Sequence, residues 1–99
     1  MEEYIQNAYS QFNSGDFSKT IEICEKIIEK EKNNLIALKL IAKSYFILKK
    51  TDESRRFYQE ILKFEPKNFE VIKDIGNTYL AQGNKKAAID CYEKSISID

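Results

Sequence analysis

The chain has 99 residues, 42% of them hydrophobic, which is enough for one small domain with a core. Its 16 Lys and Arg balance 16 Asp and Glu, so no long-range field would attract a nucleic acid or an anionic membrane, and neither partner is expected. The first twenty residues contain two early acids and no long apolar run, which excludes a secretory signal or membrane span there and favours a cytoplasmic protein.

Six segments with apolar residues spaced about 3.6 positions apart follow one another along the chain. Short stretches containing Gly, Asn, Asp or Pro separate them, and none shows the alternation of a strand. This pattern predicts an all-α fold of six antiparallel helices with short connections. We predict helices from Glu2 to Asn13, Phe17 to Lys30, Leu35 to Leu48, Asp52 to Phe64, Phe69 to Gln82 and Lys85 to Ile98.

The sequence repeats itself at a spacing of 34 residues, with no insertion or deletion. Three copies result, at residues 1–34, 35–68 and 69–99, within a single domain. Small residues recur where two helices of one copy would cross, and these close approaches predict three helix-turn-helix pairs stacked into a solenoid. The recurring small positions are Ala8, Ala42 and Gly76 in the first helices, and Thr20, Ser54 and Ala88 in the second helices.

The third copy carries its pattern most clearly, with Ile72, Ile75-Gly76, Tyr79, Ala88 and Tyr92 at set spacings. This pattern resembles the tetratricopeptide repeat (TPR) over the whole chain. The resemblance implies a right-handed superhelical solenoid whose first helices line a concave groove. It also implies a non-catalytic adaptor or scaffold that holds a peptide or a helix of a partner protein in that groove.

Positions of the first helices that packing does not require are candidates for this groove. Lysine and asparagine donors beside aromatic and aliphatic side chains suit an extended peptide with carboxylates. The alternative is that these side chains form only the solvated faces of amphipathic helices. The candidate peptide-binding residues are Ile5, Tyr9, Phe12, Lys39, Lys43, Phe46, Lys73 and Asn77.

Charge is distributed unevenly among the copies. The second copy holds eight basic and four acidic residues, a net charge of +4, between copies with net charges of −3 and −1. A basic centre would steer an acidic protein partner. Some TPR proteins clamp the C-terminal carboxylate of chaperones with Lys and Asn in the first helix, but Ile5 and Tyr9 occupy those places here. We therefore do not expect a chaperone-tail receptor of that kind.

The last helix has an apolar side that no following helix of the sequence would cover. We name as candidate self-association residues Ile89, Tyr92 and Ile96. The alternative function is therefore a structural module that forms a homo-oligomer through its C-terminal helix, and a longer repeat array would also cover this side.

The residue inventory argues against an enzyme. The chain has no His, so the usual general base and metal ligand are missing. Its three glycines are isolated, which leaves no phosphate-binding loop. Cys24 and Cys91 lie beside apolar neighbours and are expected to be buried free thiols. We expect no catalytic residue, no metal and no cofactor.

Overall fold

The computed structural model describes residues 1–98, which form six α-helices. They are α1 (Glu2–Asn13), α2 (Phe17–Lys30), α3 (Leu35–Ile47), α4 (Thr51–Phe64), α5 (Phe69–Ala81) and α6 (Lys85–Ile98). Every predicted helix is present, and no predicted end is displaced by more than one residue. Each helix packs on the next, and α1 also contacts α3, so that three helix pairs stack into an all-α solenoid. None of these helices combines the length and apolar content needed to cross a membrane.

The turns that join one helix pair to the next are built twice in the same way. Asn34 and Asn68 are the N-cap residues of α3 and α5, and their side-chain oxygens accept backbone N–H bonds at 3.0 and 3.1 Å. Each amide group also donates to the glutamate three residues earlier, at 2.8 Å in both turns. These repeated bonds fix the direction in which each new pair begins.

The turns inside the helix pairs share a left-handed residue at one repeat position. Gly15 and Gly83 have φ angles of 86° and 79°, a conformation that glycine adopts without steric cost. Lys49 occupies the same position in the second pair with a φ angle of 64°. A lysine therefore takes a backbone conformation that favours glycine, which the sequence pattern did not reveal.

Small side chains let the two helices of each pair approach closely, as predicted. Ala8, Ala42 and Ser54 are fully buried. The Ser54 hydroxyl donates to the Ala42 carbonyl oxygen at 2.7 Å and links α4 to α3. At Gly76 an added Cβ would lie 2.8 Å from Cε1 of Tyr92. The third pair is therefore too close for a larger residue at this crossing unless a neighbour moves.

A polar cluster ties the second pair to the third. The Arg55 guanidinium lies 3.1 Å from the Asp52 carboxylate, bonds to the Gln82 side chain and covers the Tyr79 ring at 4.0 Å from its centre. Gln82 also donates to Asp52 at 2.7 Å. Because Arg55 is largely shielded from solvent, this cluster fixes the register of α4 against α5.

Candidate functional site

A cleft of about 340 Å³ lies between α1, α3 and the junction of α4 with α5. Two of the predicted lysines and one predicted aromatic residue meet there, and aliphatic side chains line the rest together with Glu65 and Asn68. The lining residues are Tyr9, Leu35, Ile36, Lys39, Leu40, Lys43, Ile61, Glu65, Asn68 and Val71.

The basic part of this cleft comes from α3. Lys39 and Lys43 are one turn apart and half-buried, so their stems cover apolar surface. Tyr9 reaches the same cleft from α1 and keeps 44% of its surface exposed. Lys73 is exposed on α5 and does not line the cleft. These four residues therefore do not form one continuous row. Lys39, Lys43 and Tyr9 line the cleft together, and Lys73 does not line it.

Asp74 is an acidic residue close enough to the groove lysines to feel their charge, and sequence reasoning missed it. Its carboxyl is half-buried, and this burial raises its pKa, while Lys43, Lys39 and Lys73 act in the opposite direction. Glu70 adds a smaller effect that raises the pKa further. The groove is thus of mixed charge rather than a purely basic surface. The sequence did contain one signal that Asp74 would be partly buried. Asp74 occupies the repeat position that buried Leu40 holds one copy earlier.

Asn77 and Tyr92 act as a pair. The Tyr92 hydroxyl donates to Oδ1 of Asn77 at 2.5 Å, and the Tyr92 ring packs over Gly76. Tyr92 therefore faces α5, whereas the sequence analysis placed it on an uncovered side. This bond occupies the side-chain oxygen of Asn77, so the side-chain N–H groups of Asn77 are left for another contact.

Two of the apolar candidate residues of the groove are used in packing. Ile5 and Phe12 pack against the core formed by α1, α2 and α3, and Phe12 also meets Phe17 edge to face at 5.4 Å. These two side chains are therefore mainly engaged in packing. A second cleft, of about 530 Å³, lies between the C-terminal ends of α3 and α5 and is lined by Phe46, Ile47, Lys49, Thr51 and Ala81.

Two exposed apolar side chains belong to this region, since Ile47 lines the cleft and Leu80 directly precedes the lining residue Ala81 in the chain. Ile47 and Leu80 expose 46% and 50% of their surfaces. Ile47 lies one turn after Lys43 on α3, so a basic cleft and an apolar cleft follow each other along one helix. A ligand that contacts both can combine an ion pair with apolar burial.

The outer side of α6 exposes two isoleucines. Ile89 is 54% exposed and Ile96 is 75% exposed. One copy earlier the corresponding positions hold Arg55 and Leu62, which are partly buried against α5. Of the three predicted self-association residues, Ile89 and Ile96 therefore lie on the open side, whereas Tyr92 does not.

The two thiols differ in their surroundings. Cys24 is fully buried, and burial, with a smaller effect of Glu25, raises its pKa to about 12. Cys91 is only partly buried, so the expectation of two buried thiols was wrong for this residue. Burial, with Asp90, still raises the Cys91 pKa. Within residues 1–98, no three His, Cys, Asp or Glu side chains gather as a metal ligand set.

Three stacked helix pairs at a spacing of 34 residues, with small residues at the helix crossings, define a TPR protein. The family model described as "Psidin, N-terminal TPR repeats region" matches residues 2–99, and the chain belongs to this family.

Solved structures support the same fold. A crystal structure of MamA matches with a TM-score of 0.92 at 19% identity, over 99% of this chain and 57% of the MamA chain. The first TPR of Spaghetti (RPAP3) bound to the HSP90 peptide SRMEEVD matches with a TM-score of 0.89 at 17% identity, over 97% of this chain and 76% of that one. The second TPR of the same protein, bound to the same peptide, matches with a TM-score of 0.88 at 14% identity, over 98% of this chain and 90% of that one. The chain thus spans little more than half of the MamA chain.

Proposed function

We propose that this chain is a non-catalytic interaction module that holds an extended segment of a partner protein in its concave groove. The observation that carries the proposal is the succession of a basic cleft at Lys39 and Lys43 and an apolar cleft at Phe46 and Ile47. An acidic group of the partner would pair with the lysines, and an apolar side chain would fill the second cleft.

The spacing of these clefts limits the motif that fits. Lys43 and Ile47 are about 6 Å apart along α3, and Lys39 and Phe46 about 10 Å apart, at 1.5 Å per residue. Because an extended peptide advances about 3.3 Å per residue, the acidic and apolar residues of the ligand should be two or three positions apart. Asp74 and Glu70 reduce the positive charge of the groove, which favours one acidic residue over a run of them.

The solved complexes of the RPAP3 repeats show that this fold can hold an acidic peptide. The present chain has Ile5 and Tyr9 at the positions where the resemblance to chaperone-tail receptors implies Lys and Asn. A ligand of different pattern is therefore proposed, with its acidic group bound by α3 instead of α1.

The test uses fluorescein-labelled heptapeptides that contain one Asp and one Leu at separations of one to four residues, with SRMEEVD as a reference. Binding measured by fluorescence anisotropy should be tightest at separations of two or three. Lys39→Glu combined with Lys43→Glu should weaken it about tenfold or more, because two attractive charges become repulsive.

The matched control is Lys26→Glu with Lys30→Glu, which makes the same charge change at the same spacing on exposed positions of α2. It should leave the affinity unchanged. Equal losses in both double variants, or equal affinity at all four separations, would contradict a specific groove.

Self-assembly through α6 is the alternative function, and the exposure of Ile89 and Ile96 is the observation that favours it. A dimer seen by sedimentation over a range of concentrations, lost in Ile89→Glu with Ile96→Glu but kept in the Lys39 and Lys43 double variant, would support it. A monomer at every concentration would contradict self-assembly through α6.

A further inference from the structure

The turn inside the second helix pair borders the apolar cleft and contains a strained lysine. Lys49 has a φ angle of 64°, whereas Gly15 and Gly83 occupy the same repeat position in the other two pairs. A left-handed backbone is unfavourable for a residue with a Cβ, and such strain is commonly retained at ligand-binding and active sites. Because glycine would form the same turn without strain, the turn alone does not explain the lysine side chain.

Packing does not explain this side chain either. An added Cβ at either of the two turn glycines would meet no atom within 4 Å, so a side chain at this repeat position projects into open space. Lys49 is itself exposed and forms no ion pair with the acidic side chains of residues 1–98. Asp52, the nearest acid in the sequence, bonds to Arg55 and Gln82 instead. The ammonium group of Lys49 is therefore available to a ligand.

Lys49 adds a positive charge beyond the apolar cleft, on the side away from the basic cleft. It lines the apolar cleft with Phe46 and Ile47, whereas Lys43 lines the basic cleft one turn before Ile47. The order along the groove is therefore basic, apolar and basic. An apolar cleft with a cation on each side fits an apolar side chain that has an acidic residue on each side of it.

We propose that Lys49 is a second anion-binding residue of the groove, and that the bound segment of the partner protein carries an acidic side chain on each side of its apolar residue. This inference rests on the proposed function and narrows its ligand. Along α3, Lys49 lies about 9 Å from Lys43 and about 15 Å from Lys39, at 1.5 Å per residue. Because an extended peptide advances about 3.3 Å per residue, the two acids should be three to five positions apart. Each acid faces its own lysines, so the ligand contains no run of adjacent acids.

The probes are three fluorescein-labelled peptides with amidated C-termini, which differ only in their side-chain carboxylates. One has Asp two positions before and two positions after a central Leu. In each of the other two, Asn replaces one Asp, which removes a charge and keeps the shape of the side chain. By fluorescence anisotropy, the full chain should bind the two-acid peptide about three- to fivefold more tightly than the tighter one-acid peptide, since an exposed ion pair contributes modestly.

Lys49→Gly separates ligand binding from folding. Glycine keeps the left-handed turn without strain, so the melting temperature of this variant should rise while the advantage of the second acid disappears. Its affinity for the tighter one-acid peptide should not change. The matched control is Lys50→Ala, which removes the same charge from the adjacent exposed position that lines neither cleft. This control should keep the advantage of the second acid.

Two results would overturn this inference and leave the groove proposal intact. One is equal affinity for the two-acid and one-acid peptides, with binding that still depends on Lys39 and Lys43. The other is an advantage of the second acid that Lys49→Gly keeps, or that Lys49→Gly and Lys50→Ala reduce equally, which would show only an effect of net charge. Failure of all three peptides to bind the unmodified chain would overturn the groove proposal and this inference together.

Discussion

Replacing Gly76 by alanine tests how tightly α5 and α6 are packed. A Cβ at this position would lie 2.8 Å from Cε1 and 3.1 Å from Cδ1 of Tyr92, and 3.1 Å from Cβ of Cys91. The first distance requires a movement, and Tyr92 is held by its bond to Asn77. The ring therefore cannot move away without losing that bond.

Two effects of opposite sign decide the result. Alanine in a helix interior is favoured over glycine by about 1 kcal/mol, whereas overpacking a close contact costs about 1–3 kcal/mol. We expect a net loss of about 1 kcal/mol in the free energy of unfolding. Gly76→Ala should thus destabilise the chain, although Ala8 and Ala42 occupy the same repeat position without difficulty.

Urea unfolding of four proteins under reducing conditions measures this change in the free energy of unfolding. They are the parent chain, Gly76→Ala, Tyr92→Cys and the double variant. The double variant reproduces the pairing of Ala8 with Cys24 in the first copy. Without the ring, Gly76→Ala should become stabilising by about 0.5–1 kcal/mol. Stabilisation by Gly76→Ala in the parent chain, or an equal effect in both backgrounds, would refute the argument from the ring contact.

Two further predictions concern Asp74 and Lys49. Burial raises the pKa of the Asp74 carboxyl above its ordinary 3.8, so the folded state binds a proton more readily than the unfolded state, and its stability decreases as pH rises from 3.8 through the raised pKa. Asp74→Asn should therefore raise the urea midpoint at pH 7 but not at pH 3, and an equal effect at both pH values would contradict this assignment. Lys49 has a left-handed backbone, so Lys49→Gly should stabilise the chain by about 1 kcal/mol. The control Lys50→Gly, at a φ angle of −94°, should destabilise it, and thermal unfolding compares the two.

The helices were predictable from sequence because the helical spacing of apolar residues ends at turn-forming residues in every copy. The side chains of Asn34, Asn68 and Asn84 accept bonds from the first turns of α3, α5 and α6, and these asparagines stand where the apolar period is interrupted. Lys49 shows where this reasoning failed. Its left-handed backbone is required by the turn geometry that the flanking helices impose, and a lysine carries no local signal of it.

The groove was less predictable because it depends on which side chains are used in packing. Phe12 and Phe46 share a repeat position, yet Phe12 packs on Phe17 and the core whereas Phe46 lines an open cleft. Asp74 has the sequence pattern of an ordinary surface acid, and only the folded chain shows that it is partly buried within reach of the charges of Lys43 and Lys39. Such differences arise from neighbours distant in sequence, and the helical period does not encode them.

Tyr92 connects the two proposed surfaces. It belongs to α6, whose outer side is open, and its hydroxyl bonds to Asn77 of the groove-lining helix α5. In a solenoid each pair is stabilised mainly by its neighbours, so among the helices of residues 1–98 we expect α6, which packs on α5, to open first. Any contact on the outer side of α6 would hold this helix in place and thereby keep the Asn77 amide directed by Tyr92. Under the groove proposal, a contact that holds α6 in place therefore strengthens peptide binding, and by linkage the peptide strengthens that contact to the same extent.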